Sequence, residues 1–394
     1  MFKDKTILYI VHNYNSFQKD PIEEIAKNFK KVYVLVRYKP ISKIVRLLPF
    51  KSLKKYDDKY VIDLSNKPKN VEVIKTPVWY LPFGIFYKWL GELHFRAVDR
   101  VIKRNNIKFD LVHCHFLWSS GYVGMRLKQK YKKPFIVTGH GFDVYQLPFK
   151  SVDWTRRIQA MLRSCNVILT VSKKNKECLT KLEIEDQKIK ILHNGFNSEI
   201  FFKMDKNKVR DELEIDKKSK VLLTIGNLEK VKGQEFLIKS LKRVSEELPS
   251  IKCYVIGGGS LELELKELVK SLNLEKNVIF LGQLKHNQIG KWLNACDVFV
   301  MSSLNEGLPI SMLEALGLGK PFVGTNVGGI PEVINSEEYG ILIEPGNENE
   351  LYSAIASALR AEWDYEAISK YAKHFTVKSL TQKTLKIYST LLHE

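Results

Sequence analysis

Short runs of β-branched and apolar residues recur along the chain, each followed by a longer stretch with apolar positions at helical spacing. That is the pattern of parallel β-α-β units. In the first half the runs are Thr6–Val11, Val32–Val36, Val71–Thr76, Leu111–His115, Phe135–Gly139, Val167–Val171 and Ile189–Leu192. A second series comprises Val221–Ile225, Ile251–Ile256, Val278–Leu281, Val298–Met301, Pro321–Thr325 and Gly340–Ile343, with amphipathic segments such as Gly233–Glu247 and Leu261–Leu272 between them. One parallel sheet holding all of these strands would be unusually wide, so the pattern predicts an α/β protein with two doubly wound sheets in tandem. The expected domains are residues 1–200 and 207–372, with a boundary in the polar stretch Asn197–Lys206 ahead of a charged helix, Lys208–Leu213. The remainder, 373–394, carries an amphipathic helix, Thr376–Leu392, with Leu380, Leu385, Ile387 and Leu391 on or near one face, and is expected to pack back on the first domain. Ligands of open α/β sheets bind outside the carboxyl ends of the strands, so two such domains facing across a cleft would build their site there.

Charge changes this picture. The 394 residues carry 63 Lys+Arg against 44 Asp+Glu. Residues 1–200 hold 38 basic against 18 acidic residues, a net of +20, and residues 201–394 hold 25 against 26, a net of −1. A general lysine bias would have coloured both halves. The asymmetry points to an anionic partner for the first half, whether nucleic acid, acidic lipid or a phosphorylated substrate. Hydrophobic residues at 44% and charged residues at 27% exclude a disordered or low-complexity chain. The five cysteines are odd in number, widely spaced and without a C-x-x-C pair, which argues against a disulfide framework and a zinc ribbon and for a reducing, cytoplasmic compartment. No apolar run approaches the ~18 residues of a membrane span, and the chain is expected neither to be exported nor to cross a bilayer.

The segment richest in chemistry is Glu306-Gly-Leu-Pro-Ile-Ser-Met-Leu-Glu314, followed by Ala315-Leu-Gly-Leu-Gly-Lys-Pro321 and Gly328-Gly-Ile-Pro-Glu332. Pro309 suits a first helical position and Gly317 a helix end, which places Glu306 in the loop ahead of a short helix and Glu314 on its body. Carboxylates accept hydrogen bonds from paired sugar hydroxyls, and a helix N-terminus suits a phosphate or another oxyanion. For two glutamates alone, a solvated surface position is the default reading. In Thr224-Ile-Gly-Asn-Leu-Glu-Lys-Val-Lys-Gly233, Lys230 and Lys232 are candidates to neutralise a diphosphate, with Gly226 and Gly233 letting the backbone come close. Neither Gly257-Gly-Gly-Ser260 nor Gly317-Leu-Gly-Lys320 fits the dinucleotide or P-loop pattern. His113 and His115 share one strand face, and no third or fourth metal ligand lies near them in sequence. His140 ends a strand between two glycines, a position that favours function over packing; His12 and His115 also end strands.

Together these segments resemble the retaining glycosyltransferases of family 4, whose GT-B fold sets two Rossmann-like domains across a cleft. The likeness is specific in the second half, where Glu306-x7-Glu314, the Gly-Lys-Pro turn and the Gly-Gly-Ile-Pro-Glu run follow in family order. First-half echoes are Asp110-Leu-Val-His-Cys-His115, Thr138-Gly-His-Gly-Phe-Asp143, Val171-Ser172 and Asn194-Gly195. The resemblance implies that Glu314 holds the ribose of a nucleotide sugar, that Glu306 and the N–H groups of Gly307 and Leu308 hold its sugar, and that Lys232 binds the pyrophosphate. It further implies donor contacts from Lys230, Asn227, Gly258 and Gly282, and a catalytic set of His140, Glu306 and Lys232. Two departures stand out: Asn227 occupies a position where the family often has Arg, and His12-Asn-Tyr-Asn-Ser16 replaces a Gly-Gly loop after the first strand.

The expected activity is transfer of a hexose, with retention, from a UDP- or GDP-sugar to an acceptor hydroxyl in cell-surface polysaccharide or glycolipid assembly. No metal or other cofactor is expected, because Lys232 and N–H groups can neutralise the leaving diphosphate. The alternatives are an isomerase of the UDP-N-acetylhexosamine 2-epimerase kind, and a basic nucleic-acid-binding protein. Two stretches mix basic and bulky apolar residues: Lys43-Ile-Val-Arg-Leu-Leu-Pro-Phe-Lys51 with Lys54 and Lys55, and Trp79-Tyr-Leu-Pro-Phe-Gly-Ile-Phe-Tyr-Lys-Trp89. They predict peripheral docking at the cytoplasmic face of an anionic membrane and a lipid-linked or saccharide acceptor, with no nucleic acid.

Overall fold

The computed structural model describes residues 2–40, 61–80 and 85–392. The basic stretch Lys43–Lys51 with Lys54 and Lys55 lies outside the described residues, as do residues 81–84 of the aromatic one. The chain forms two compact units, one of Met1–His193 with Leu380–Glu394 and one of Asn194–Ser379.

The first unit is built on a parallel sheet of β1 (Phe2–Val11), β2 (Phe29–Tyr38), β3 (Val71–Pro77), β4 (Leu111–His115), β5 (Phe135–Gly139), β6 (Val167–Thr170) and β7 (Ile189–Ile191), in the order β3-β2-β1-β4-β5-β6-β7. Register follows the pleat: Ile7, Leu8, Tyr9 and Ile10 of β1 sit beside Leu111, Val112, His113 and Cys114 of β4. Alternate residues then enter opposite cores. Leu8, Ile10, Leu35, Val112 and Cys114 pack under helices that include Ile85–Arg104 and Tyr122–Tyr131. Ile7, Tyr9, Val11, Val34 and Val36 pack on the other face with Ile22 and Ile25 of the helix Ser16–Ala26. Because both faces are covered, the strands read in sequence as continuous apolar runs rather than alternating ones.

The terminal helix Val377–Leu392 contributes Leu385 and Tyr388 to this second core, with Leu380, Ile387 and Leu391 packed against it. Tyr388 is fully buried. Its hydroxyl lies 2.8 Å from that of Tyr9 and 2.5 Å from His113 Nδ1, and His113 Nε2 reaches Thr138 Oγ1 at 2.7 Å. His113 is thereby committed to structure.

The second unit repeats the plan with β8 (Val221–Ile225), β9 (Lys252–Ile256), β10 (Val278–Gly282), β11 (Val298–Met301), β12 (Phe322–Thr325) and β13 (Gly340–Ile343), ordered β10-β9-β8-β11-β12-β13 and again parallel. Its core lies largely between this sheet and the helices Gln234–Glu247, Glu262–Ser271 and Glu348–Arg360. The short helix of the glutamate segment runs Ile310–Gly317, so Pro309 is its N-cap in extended backbone rather than its first helical residue. The charged segment near the expected linker is a helix, Lys206–Glu212, and it is anchored rather than solvated. Arg210 is buried, donates to Ala295 O, Lys217 O and Ser219 O, and pairs with Asp297 at 2.9 Å.

Candidate active site

In both sheets the strand order reverses once, between β1 and β4 and between β8 and β11. Connections leave such a pair in opposite directions and open a crevice at their carboxyl ends, so the loops there are the first place to look for chemistry.

In the second unit these loops are Gly226–Gly233 after β8 and Ser302–Leu308 after β11. Gly233 adopts a left-handed φ of 59°, a Cβ there would stand 2.2 Å from Ser302 O, and Ser302 Oγ donates to Gly233 O at 2.8 Å. The two loops are thus sewn together, and Lys232 is held facing Glu306. Lys232 Nζ lies 2.6 Å from Glu306 Oε1, and Ser303 Oγ donates to the same oxygen at 2.7 Å. Glu306 is only 6% exposed and Glu314 4%, so neither is a solvated surface carboxylate. The Gly-Gly-Ile-Pro-Glu run packs beneath: Gly329 N donates to Gly307 O at 2.7 Å, and Gly328, at φ 58°, would place a Cβ 2.0 Å from Glu306 O. Asn194 Nδ2 holds Leu308 O at 2.7 Å. The carbonyls of this turn are taken, whereas the N–H groups of the buried Gly307 and Leu308 make no hydrogen bond among the described residues. Buried backbone donors are nearly always paired, which makes these two candidates for a ligand contact.

Glu314, on the short helix, shares a hydrogen bond of 2.8 Å with His286 Nε2, whose ring stands edge-on to Phe201. Sequence reasoning passed over Ser303 and His286. His286 opens the helix His286–Ala295 a few residues beyond β10, and its place after a strand end was the available signal. Gly282 has φ 69° with open space where a Cβ would stand, and Gly258 lies against the Gln283 side chain. Asn227 and Lys230 are exposed on the first loop, and the Asn227 carbonyl accepts from Gln234 Nε2. Lys320 of the Gly-Lys-Pro turn is buried and spent on Asn294 O and Cys296 O, a structural role.

In the first unit His12 directly follows β1, His115 ends β4 and His140 directly follows β5. His140 Nε2 is 3.0 Å from His115 Nδ1, and the rings of His115, Phe116 and Phe17 surround it within about 5 Å. Asp143 fixes the turn by accepting from the N–H groups of Leu117, His140 and Gly141 at 2.8, 3.2 and 2.9 Å. His12 stacks on Phe116 at 4.7 Å. Burial holds His12 and His140 well below the ordinary imidazole range and pushes His115 down to about 3, so these rings are neutral near pH 7. His140 Nδ1 and His12 Nε2 are buried without a partner among the described residues. His113 and His115 do share a face, their rings stacked at 4.7 Å. Among the described residues no group of three or more His, Cys, Asp or Glu is placed to hold a metal ion.

Two such sheets, each with its polar loops at one switch point, define a glycosyltransferase of the GT-B fold, and comparison with known proteins agrees. Residues 57–200 match the model for Glycosyltransferase Family 4 and residues 205–375 that for Glycosyl transferases group 1. The N-acetyl-alpha-D-glucosaminyl L-malate synthase of Bacillus anthracis is 25% identical over 75% of this chain and 76% of its own length. The UDP-Gal:alpha-D-GlcNAc-diphosphoundecaprenol alpha-1,3-galactosyltransferase of Escherichia coli is 28% identical over 63% and 66%. Among solved structures, Anabaena HepE in complex with UDP superposes with a TM-score of 0.74 at 18% identity, covering 98% of this chain and 100% of that one. The chain belongs to glycosyltransferase family 4. It is an enzyme, a hexosyltransferase.

Proposed function

We propose that the enzyme transfers a hexose, with retention of anomeric configuration, from a UDP- or GDP-sugar to an acceptor hydroxyl in polysaccharide or glycolipid assembly. The observation that carries this reading is the buried Glu306, held by Lys232 and Ser303 beside the unpaired N–H groups of Gly307 and Leu308. A carboxylate and two fixed donors match the hydroxyls of a hexose, and a lysine alongside matches a diphosphate. Glu314, oriented by His286, takes the ribose hydroxyls. Donor contacts from Asn227, Lys230, Gly258 and Gly282 are part of the same proposal. Anabaena HepE, solved with UDP, supports the nucleotide class.

In the reaction the acceptor oxygen forms its bond to the anomeric carbon on the face from which the diphosphate departs. The electron pair of the broken bond goes to the diphosphate oxygen, which also receives the acceptor proton. Lys232 and the Gly307 and Leu308 N–H groups stabilise charge that grows as this bond breaks, which is where fixed donors are worth most. They supply the neutralisation for which a metal would otherwise serve, so activity is proposed to survive a chelator. His140, neutral at pH 7, contributes a hydrogen bond rather than a charge. The first unit binds the acceptor. Two relatives act on or make compounds bearing oxyanions, an L-malate glycoside and a diphosphoundecaprenol-linked sugar, which supports an anionic acceptor.

A cytoplasmic location, peripheral at the membrane, completes the proposal; its support is the +20 charge of residues 1–200 and the exposed Trp79 and Trp89. No observation favours the isomerase or the nucleic-acid-binding alternative. The test is a thermal-shift screen over UDP, GDP and their sugars followed by product analysis: a ligand at 100 times its dissociation constant adds about 2.7 kcal/mol. No stabilisation by any of them, or an inverted anomeric centre in the product, rejects the corresponding part of the reading.

A further inference from the structure

Arg37 sits near the carboxyl end of β2, half-buried, and no ion pair to a carboxylate is seen for it among the described residues. Its Nη1 donates to Ser119 Oγ at 3.0 Å. Ser119 is fully buried, and the only other hydrogen bond of its hydroxyl among the described residues is to His94 Nδ1, at 2.9 Å. A hydroxyl that accepts from a guanidinium has one proton left to give, and His94 Nδ1 is where it goes. His94 Nδ1 is then the acceptor, and the ring's proton must be on Nε2. That Nε2–H is buried and has no partner among the described residues. His12 Nε2 and the Tyr38 hydroxyl, near neighbouring strand ends, are likewise buried and unpartnered among them. Asp143 lies at the same end of the sheet, but its oxygens are spent on backbone N–H groups.

Arg37 and Lys39 make this edge basic, although the loop after β1 also brings two acceptors, the buried Asn13 Oδ1 and Asn15 Oδ1, without a partner among the described residues. His12 feels the positive charge of Arg37 and Lys39 as well as the rings of His94 and His140, and Arg37 also helps keep His94 neutral. Arg37 and Lys39 both stand over the Tyr80 ring, at 5.7 and 4.9 Å. A partly buried guanidinium with no counter-ion is costly, and so are orphaned buried donors. One group that satisfies all of them together is an oxyanion, whose planar or tetrahedral oxygens match the fork of an arginine.

We propose that Arg37, with His94 and His12 as neutral donors, forms a subsite in the first unit for a phosphoryl or carboxylate group carried by the acceptor. This rests on the transferase reading above, which it deepens by assigning the acceptor's anion to named residues. The test uses the full chain in calorimetric titrations with glucose, glucose 6-phosphate and farnesyl diphosphate in detergent micelles, alongside UDP and GDP.

Glucose 6-phosphate is expected to bind at least tenfold more tightly than glucose. Arg37→Gln should abolish that difference, Arg37→Lys should keep part of it, and Lys232→Ala, in the other unit, should leave it intact. Tighter binding of the diphosphate micelles than of glucose 6-phosphate, again lost in Arg37→Gln, assigns a lipid-borne anion; the reverse assigns a soluble one. If Arg37→Gln does not fold, His94→Gln with Arg37→Lys decides, each lowering the preference. An unchanged preference in these variants, no preference in the wild-type chain, or a preference lost only in Lys232→Ala overturns the subsite. A chain that shows the Arg37-dependent preference yet binds neither UDP nor GDP keeps the subsite and rejects the donor reading.

Discussion

The two units place polar groups at equivalent points of their sheets and treat them in opposite ways. In the second unit polar groups meet: Lys232 with Glu306, and His286 with Glu314. In the first unit the groups are neutral rings, His12 and His140 just beyond strands and His94 on a helix, near Arg37, for which no ion pair is seen among the described residues. A paired site is pre-organised and costs little to keep empty. An unpaired one is held open by the packing around it, at the expense of stability, and is completed by its ligand. On the proposed reading, the difference teaches that the second unit is built for one constant ligand and the first for a partner that brings its own charge.

Acid is the largest lever on this contrast. His12, His94, His113, His115 and His140 are all held below the ordinary imidazole range by burial, His115 at about 3. Their folded values are depressed, so the unfolded chain takes up protons first as the pH falls. Stability is complete above about pH 6.5 and is lost as the pH drops toward the folded values, about 1.4 kcal/mol per pH unit for each ring that stays neutral. The second unit's half-buried Asp297 has a carboxyl held below its ordinary value, after the opposing effect of burial, by Lys206, the Val221 N–H and Arg210. It loses its contribution only below about pH 4. Hydrogen exchange between pH 7 and 4.5 should therefore rise in β1, β4 and β5 before β8 and β11. Simultaneous opening of both sheets would break the comparison.

Turnover comes next. Lys232→Ala should lower kcat by about 10²–10³, the scale for removing one donor from a developing oxyanion, and depress donor binding less. If turnover is unaffected, another cation, with Lys230 first in line, holds the diphosphate. His140→Ala should lower transfer, by about 10²-fold on the scale of positioning effects, and leave UDP or GDP affinity nearly unchanged, because it lies in the other unit. Equal loss of nucleotide binding would make it a structural residue.

These residues also mark how far the chain could be read without its structure. Strands were legible because a sheet covered on both faces leaves little room for polar residues: β4, β5, β8, β11 and β13 fall where the apolar runs are, and β9 begins one residue later, at Lys252. Glu306, Glu314 and Lys232 were legible by local spacing. Their burial was not, since the partners that enclose them, His286, the Gly328 turn and, for Glu306, Lys232, arrive from other loops. Least legible was the set around Arg37. His12, Arg37, His94, Ser119 and His140 come from five separate segments, and only the strand order brings them to one edge. Lys320 and Arg210 are buried ties that their local sequence does not announce, because a lysine or arginine gives no sign of the carbonyls that will accept from it.

A smaller effect tests the paired site directly. Glu314→Ala removes a charged hydrogen bond worth roughly 1.5–3 kcal/mol and should raise the donor dissociation constant accordingly with the fold intact. His286→Gln should produce a weaker version of the same change, because it orients Glu314 without touching the nucleotide. Unchanged nucleotide affinity in Glu314→Ala removes the ribose assignment.

The smallest effect concerns the outer surface of the first unit. Trp79 is 63% exposed and Trp89 62%, on a half of the chain with a net charge of +20. Indole rings favour the headgroup level of a bilayer, and each basic residue near an anionic surface adds about 1 kcal/mol, so a handful suffices for reversible docking. Among the described residues no helix is long and apolar enough to cross a membrane. Cosedimentation with vesicles should require anionic lipid and fall with salt, since surface attraction is screened within about 8 Å at physiological ionic strength. It should weaken several-fold when Trp79 and Trp89 become Ser, while UDP or GDP binding by the second unit stays as it was. Binding that ignores lipid charge would leave the basic half to the acceptor's anion alone, and the contrast between the units would then rest on Arg37 and its neutral histidines.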